Sequence, residues 1–142
     1  ATSDFRDSKR AGLDSPVMPQ VVRALRGATT IDEDTPEHIA HRVGALLRTM
    51  FERNGVSMDD LVSILFNATD DVRSTFPATG ARQMIPGLAA VPLMNCREME
   101  VEGSLPRCIR VMAHLYTDRP REDLRHVFLE GAVTLRPDLA AE

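Results

Sequence analysis

Residues 35–55 carry the signals of one amphipathic helix. Thr35 is a suitable N-cap, and Pro36 stands at the first helical position, where its missing N–H costs no hydrogen bond. Asn54-Gly55 provides a stop signal. The apolar residues between these ends recur at helical spacing: Ile39, Val43, Leu46, Leu47 and Met50. The spacing predicts a helix over about 36–53 that covers one face of a sheet.

Short apolar segments on either side of this helix are typical of strands. We predict five strands, over residues 21–26, 61–66, 91–96, 109–116 and 125–129. A short second helix is expected from Pro77 to about Met84. Gly27 is expected to allow an unusual backbone angle just after the first strand. Strands combined with one long and one short helix predict a small α+β (mixed α/β) fold.

The length of 142 residues predicts one domain. Residues 1–20 are polar and turn-rich, so we expect a flexible N-terminal extension followed by a single domain over 21–142. One long helix covers only one face of a sheet. The uncovered face therefore predicts a homo-oligomer.

The composition argues against several classes of function. The net charge of −4 gives no basic field for nucleic acid. No apolar run has the length of a membrane span and the N-terminus has no secretory signal, so we expect a cytoplasmic protein that does not bind membranes. Cys96 and Cys108 could pair in a disulfide, but two reduced thiols are the expectation. The Cys and His spacing fits no zinc site, and no metal is expected.

Arginine dominates the cationic residues, since Lys9 is the only lysine among 17. This bias is typical of GC-rich coding, but guanidinium groups also suit carboxylate ligands because they donate two parallel hydrogen bonds. The arginines fall in four separated segments, one of which carries a glutamate. The segments are R-G-A-T-T at 26–30, V-P-L-M-N-C-R-E-M at 91–99, L-P-R-C-I-R-V-M at 105–112 and L-R-P-D-L at 135–139.

In this order and spacing the four segments closely resemble the monofunctional AroH class of chorismate mutase, in one collinear run from about Val21. The resemblance implies a chorismate-mutase-like (ferredoxin-like) sheet covered by helices. It also implies a homotrimer that forms a pseudo α/β barrel, with active sites between subunits. The implied reaction is the pericyclic rearrangement of chorismate to prephenate in aromatic amino acid biosynthesis, for which no cofactor is expected.

The resemblance implies catalytic roles for Arg110, Glu98 and Arg26. Arg110 is expected to bridge the ether oxygen and a carboxylate of chorismate, where negative charge grows as the ether bond breaks. Arg26 is expected on the same side of the substrate, although it could instead form a surface ion pair with the acidic stretch 32–34. Glu98 is expected to accept the hydrogen bond of the substrate hydroxyl, or to be a counter-ion that keeps the arginines apart.

Further residues are expected to bind the substrate because they match family segments. Phe76 and Ala78 match an apolar wall, and Arg82 matches a second carboxylate contact. Leu135 and Arg136 match a mobile tail that closes over the site. Each also has a simpler interpretation, because an isolated phenylalanine is usually core and exposed arginines are usually only solvated.

The chain departs from the family pattern at two expected substrate-binding positions. Asn95 stands where the family commonly has cysteine, and it preserves a backbone contact but not a thiol contact. Phe128 stands where the family commonly has tyrosine. Phe128 keeps the ring packing, but a hydrogen bond to a substrate carboxylate, worth about 1.5–3 kcal/mol, should be missing. A water molecule or Tyr116 could compensate.

Two other functions remain open at this stage. A trimeric imine deaminase of the Rid type would have a similar fold and an intersubunit site with a carboxylate and an arginine, but it must activate water. A non-catalytic trimer that binds metabolites or regulates a partner enzyme would be stabilised by chorismate without turning it over. Hydrolase chemistry is disfavoured, because the sequence places no base beside a serine or cysteine.

Overall fold

The computed structural model describes residues 19–136. The seven main elements are β1 (Val21–Thr30), α1 (Pro36–Asn54), β2 (Leu61–Ala68), α2 (Pro77–Met84), β3 (Leu93–Arg97), β4 (Cys108–Thr117) and β5 (Val127–Phe128). Four single-turn 3₁₀ helices lie between or after them, at Met58–Asp60, Leu88–Ala90, Arg121–Asp123 and Glu130–Thr134. All predicted strands and helices are present, but β1 is four residues longer than predicted and β5 is shorter. The predicted N-terminal extension lies almost wholly outside the described residues.

The strands form one mixed sheet in the order β3-β2-β4-β1-β5. The central strand β4 is antiparallel to both β1 and β2. The outer pairs, β2 with β3 and β1 with β5, are parallel. The fold is therefore the predicted α+β arrangement, with a long central strand β4 whose two neighbours, β1 and β2, both precede it in the chain.

Helix α1 begins and ends at the predicted signals. The Thr35 hydroxyl accepts a hydrogen bond from the His38 N–H at 3.2 Å, which satisfies one of the free donors of the first turn. At the other end Gly55 adopts a left-handed conformation, with φ of 61°. Glycine reaches this conformation without steric cost, so Gly55 ends the helix.

The hydrophobic core lies between the two helices and one face of the sheet. It contains the apolar side of α1 and the alternate residues of β2 and β4 that point towards the helices. Gly27 lies inside β1 and has no positive φ, so the prediction of an unusual backbone angle after the strand is wrong at this position. Its lack of a side chain serves packing instead, because a Cβ here would overlap the Sδ of Met50 and crowd Leu46. β1 therefore continues through Gly27 to Thr30.

The second face of the sheet carries large apolar side chains that no helix covers. The exposed ones on β1 to β4 are Val22, Leu65, Met94, Met112 and Tyr116. Strand β4 shows the alternation clearly, since Arg110, Met112 and His114 are less buried than the residues between them. Large exposed apolar side chains concentrated on one face are typical of an interaction site.

Neither cysteine forms a disulfide, as expected; Cys96 is exposed and Cys108 is buried. Within residues 19–136, no helix is long and apolar enough to cross a membrane.

Candidate active site

The strand registers bring several of the predicted site residues to the open face of the sheet. One row of paired residues crosses all five strands: Cys96, Asn67, Arg110, Ala28 and Phe128. The neighbouring row contains Met112 and Arg26 as a direct pair. Arg26 is thus diagonal to Arg110, a relation in which Cα atoms lie about 7–8 Å apart and long side chains approach each other.

Glu98 and Arg110 form an ion pair in which Arg110 Nε lies 3.2 Å from Glu98 Oε2. The N–H direction misses the carboxylate, so Nε makes no hydrogen bond. Each side chain is about one-quarter exposed, with 27% for Arg110 and 26% for Glu98. Glu98 is held by its backbone, because its N–H donates to the Ala68 carbonyl and its Oε1 accepts from the Met99 N–H at 2.8 Å. The carboxylate is thus fixed beside Arg110.

Arg26 lies within β1, and its guanidinium carbon is 5.9 Å from the centre of the Phe128 ring. Its backbone N–H donates to Nδ1 of His126 at 2.9 Å. This bond requires that Nδ1 carry no proton. Burial lowers the pKa of His126, and the positive charges of Arg26 and Arg136 lower that pKa further. A neutral His126 therefore joins β1 to the segment before β5.

The acidic stretch after β1 is engaged by residues other than Arg26. Asp32 forms a 2.6 Å ion pair with Arg42, and Asp34 accepts hydrogen bonds from the backbone N–H groups of Arg73 and Ser74. The structure therefore gives no support to the simpler interpretation of Arg26 as the partner of residues 32–34.

Arg26, Glu98 and Arg110 line one cavity of about 350 Å³ on the open face, together with Asn67 and Cys96. Two guanidinium groups and one carboxylate give the cavity a net positive charge. Cavities of this size hold small ligands, and apolar walls around a few charged groups raise the strength of electrostatic contacts. The arrangement suits a small anion.

A second group of predicted residues lies on α2 and beside it, at the β3 edge of the sheet. Asn95 Oδ1 accepts a hydrogen bond from the Ala78 N–H at 3.1 Å, which ties β3 to the first turn of α2. Phe76 is 66% exposed, and it lines a second cavity of about 430 Å³ with Asn95. Ala78 is buried in the core, so its side chain forms no wall there. Arg82 is exposed and its Nη2 reaches only the Thr79 hydroxyl, at 3.4 Å.

The end of the described chain packs beside Phe128. Leu135 contacts a small cluster formed by Phe128, Ala28 and Ala132. Arg136 is close enough to His126 to act on its pKa. Both residues thus lie near the cavity of Arg26 and Arg110. Residues 137–139 of the fourth segment lie outside the described part of the chain.

Tyr116 cannot replace the hydroxyl that Phe128 lacks within one chain. Arg110 shares its row with Phe128, whereas Tyr116 is six residues further along β4, or about 20 Å at the usual rise per residue. Phe128 itself is buried, with 3% of its surface exposed, so it contributes packing beneath Arg26.

Sequence reasoning missed two residues that the structure places at the site, Asn67 and His126. Asn67 lies one residue beyond the predicted strand 61–66, and only the register of β2 with β4 places it opposite Arg110. His126 was assigned to a strand without a role. The only signal in the sequence was its position two residues before Phe128. The pairing of β5 with β1 then shows that His126 lies beside Arg26.

Other kinds of site have little support in the described part of the chain. Residues 19–136 contain no group of three or more His, Cys, Asp or Glu side chains that could hold a metal ion. Burial raises the pKa of the Cys108 thiol, so this cysteine is a poor nucleophile.

The fold and the cavity together define a class of small α+β proteins that hold two arginines and a glutamate on the open face of a sheet. A family model described as chorismate mutase type I matches residues 22–139. The chain therefore belongs to the chorismate mutase type I family.

Individual proteins agree with this family assignment. "Chorismate mutase AroH" of Thermus thermophilus is 50% identical over 120 residues, which is 84% of this chain and 97% of that protein. "Chorismate mutase AroH" of Bacillus subtilis is 42% identical over 120 residues, 84% of this chain and 94% of that protein. The solved structure "Chorismate mutase from Clostridium thermocellum" superposes with a TM-score of 0.75 at 44% identity, covering 79% of this chain and 98% of that one.

Proposed function

We propose that this protein is a chorismate mutase, an isomerase that converts chorismate to prephenate. The observation that carries the proposal is the cavity that Arg26, Glu98 and Arg110 share on the open face of the sheet. Family membership supports it independently. Two cations and one anion suit a substrate with two carboxylates, a hydroxyl and an ether oxygen.

The reaction requires the protein to position the substrate and to supply fixed charges around it. In the rearrangement the ether carbon–oxygen bond breaks as a new carbon–carbon bond forms, and no proton is transferred. Negative charge grows on the ether oxygen, so a fixed cation there stabilises the transition state more than the ground state. Arg110 takes this role, because β4 and the Glu98 carboxylate fix its direction. The reaction needs no metal or redox cofactor.

Arg26 and Glu98 complete the catalytic group. Arg26 binds the carboxylate and ether side of the substrate from a position diagonal to Arg110. Glu98 accepts the hydrogen bond of the ring hydroxyl and also balances the charge of Arg110. Phe128 packs beneath Arg26, Leu135 packs against the cluster of Phe128, and Arg136 is near His126.

We further propose a homotrimer in which each active site lies between two subunits. Phe76 and Asn95 line a different cavity from that of Arg110, although Cys96 borders both, and a neighbouring copy can bring the Phe76, Asn95 and Arg82 group against the Arg110 cavity. The open apolar face supplies the contact surface, and three sheets arranged around an axis would cover it as a pseudo α/β barrel. A solution mass of three times the 15.7 kDa chain supports the trimer; a monomer mass contradicts it.

The rival enzyme class is not favoured, because the family match is to chorismate mutases and a deaminase has to activate water.

The metabolite-binding alternative is decided by experiment. Chorismate absorbance is followed over time with purified protein, and prephenate is identified by its acid conversion to phenylpyruvate. Rapid loss with prephenate as product supports the proposal. No loss, with chorismate still raising the melting temperature, supports a regulatory protein. As a chorismate mutase the protein would act in phenylalanine and tyrosine biosynthesis, in the cytoplasm.

A further inference from the structure

Two buried side-chain atoms in the described part of the chain have no hydrogen-bond partner, and both belong to residues that line the same cavity. They are Oδ1 of Asn67 and Nε of Arg110. A buried polar atom without a partner costs about 1–3 kcal/mol, so each such atom in a native structure calls for an explanation. Here one atom is an acceptor, the other is a donor, and the two residues are direct partners across β2 and β4.

A hydroxyl group fits this pair of atoms, because it accepts and donates at once. Its oxygen can accept from Arg110 Nε while its hydrogen is donated to Asn67 Oδ1. Chorismate offers one such group, the ring hydroxyl, since its carboxylates and its ether oxygen only accept. Among the groups of this substrate, the hydroxyl is therefore the one that satisfies Oδ1.

Both carboxylate oxygens of Glu98 already have a contact within the protein, whereas Oδ1 of Asn67 has none. Glu98 Oε1 accepts from the Met99 N–H, and Glu98 Oε2 faces Arg110 Nε at 3.2 Å. The two acceptors lie on the same side of the cavity, on strand β2 and just after the adjacent strand β3.

We infer that Asn67 is a substrate-binding residue whose Oδ1 accepts the hydrogen of the ring hydroxyl of chorismate in a bifurcated hydrogen bond that it shares with Glu98. The inference rests on the proposed function and adds to it a residue that recognises the hydroxyl. It also explains why Oδ1 is buried without a partner in the free protein: the ligand supplies the missing donor.

The test compares two substrates, chorismate and 4-deoxychorismate, which has hydrogen in place of the ring hydroxyl. In the Asn67→Ala variant, kcat/KM for chorismate should fall about 5- to 10-fold, the size of one neutral hydrogen bond. The value for 4-deoxychorismate should stay within about twofold, because that substrate never made the bond. An equal fall for both substrates overturns the inference, because Asn67 would then support the site without touching the hydroxyl.

Ser63→Ala is the matched control. Ser63 lies on the same strand and the same face, four residues from Asn67, and its hydroxyl is 3.3 Å from His114 Nδ1, outside the cavity. It should leave the ratio of the two substrates unchanged. If the alanine variant folds poorly, Asn67→Leu keeps the side-chain volume and removes the acceptor, and it is held to the same two-substrate criterion.

Failure of the proposed function gives a different result from failure of this inference. If the wild-type protein does not turn over chorismate, the proposed function fails. Calorimetric binding of both ligands then tests Asn67. The inference predicts that Asn67→Ala weakens chorismate about 5- to 10-fold and leaves 4-deoxychorismate unchanged. An equal loss for both ligands overturns it there as well.

Discussion

The replacement of Arg110 by alanine tests the charge on which the proposed mechanism depends. The variant removes the guanidinium that faces Glu98 at 3.2 Å and leaves the strand register of β4 intact. Glu98 keeps its backbone hydrogen bonds and is 26% exposed, so water can solvate it. The main loss should therefore fall on the transition state rather than on folding.

The magnitude follows from Coulomb's law at an intermediate dielectric. A unit charge 4 Å from a developing unit charge contributes about 4 kcal/mol at an effective dielectric constant of 20. Only part of a charge develops on the ether oxygen, and Arg110 is partly exposed, so about 2–4 kcal/mol is expected. This range agrees with the roughly 2.7–4 kcal/mol lost with one oxyanion donor. It corresponds to a fall in kcat of about 30- to 1,000-fold.

The assay is the initial rate of chorismate loss, fitted for kcat and KM separately. Arg48→Ala is the control, because Arg48 is an exposed arginine on α1, on the opposite side of the sheet. The kinetics of the Arg48 variant should match those of the wild type. The melting temperatures of both variants should lie within a few degrees of the wild-type value. A loss of less than tenfold in the Arg110 variant would refute the role of its charge.

Four further predictions concern the remaining parts of the account. Glu98→Gln keeps the shape and removes the charge, so kcat/KM should fall about 10- to 100-fold with little change in melting temperature; unchanged kinetics would make Glu98 only a counter-ion. Gly27→Ala should lower the free energy of unfolding in urea by about 1–3 kcal/mol, because the added Cβ overlaps Met50; no loss contradicts the packing argument. The pKa of His126 is lowered in the folded state, so its contribution to stability is complete above the unfolded pKa of about 6.5 and declines as the pH falls below it. His126→Asn keeps an acceptor for the Arg26 N–H, so urea titrations of this variant should show a weaker decline; an identical pH profile contradicts that role. Removal of residues 1–17 should leave turnover intact, because the family match begins at residue 22; a collapse of activity would place the extension in the site or the trimer.

Local signals in the sequence predicted most of the fold. The cap at Thr35, the stop at Gly55 and the apolar spacing between them define α1 correctly, because each acts through neighbouring residues. Gly27 was misread because a glycine within a strand and a glycine after a strand look alike in sequence. The difference depends on Met50, which is 23 residues away and meets Gly27 only after folding.

Residues of the candidate site could be predicted only where the residue type itself indicates a chemical role. Arg26, Glu98 and Arg110 were found because charged residues in matched segments are distinctive, and the structure brings all three to one cavity. Asn67 is an ordinary polar residue in sequence. Its interest comes from an unpaired buried oxygen and from its partner on β4, and both depend on strand register.

Mixed oligomers would test the central claim that two separated groups of residues form one active site between neighbouring copies. Arg110→Ala subunits lack the first group, and Phe76→Ala/Arg82→Ala subunits lack the second. Each variant alone should be nearly inactive with chorismate. After refolding of an equal mixture, about one quarter of the intersubunit sites should contain both intact groups, so about one quarter of the wild-type prephenate formation should return. If native mass spectrometry shows mixed trimers but activity stays at the sum of the two parents, the account of the site is wrong.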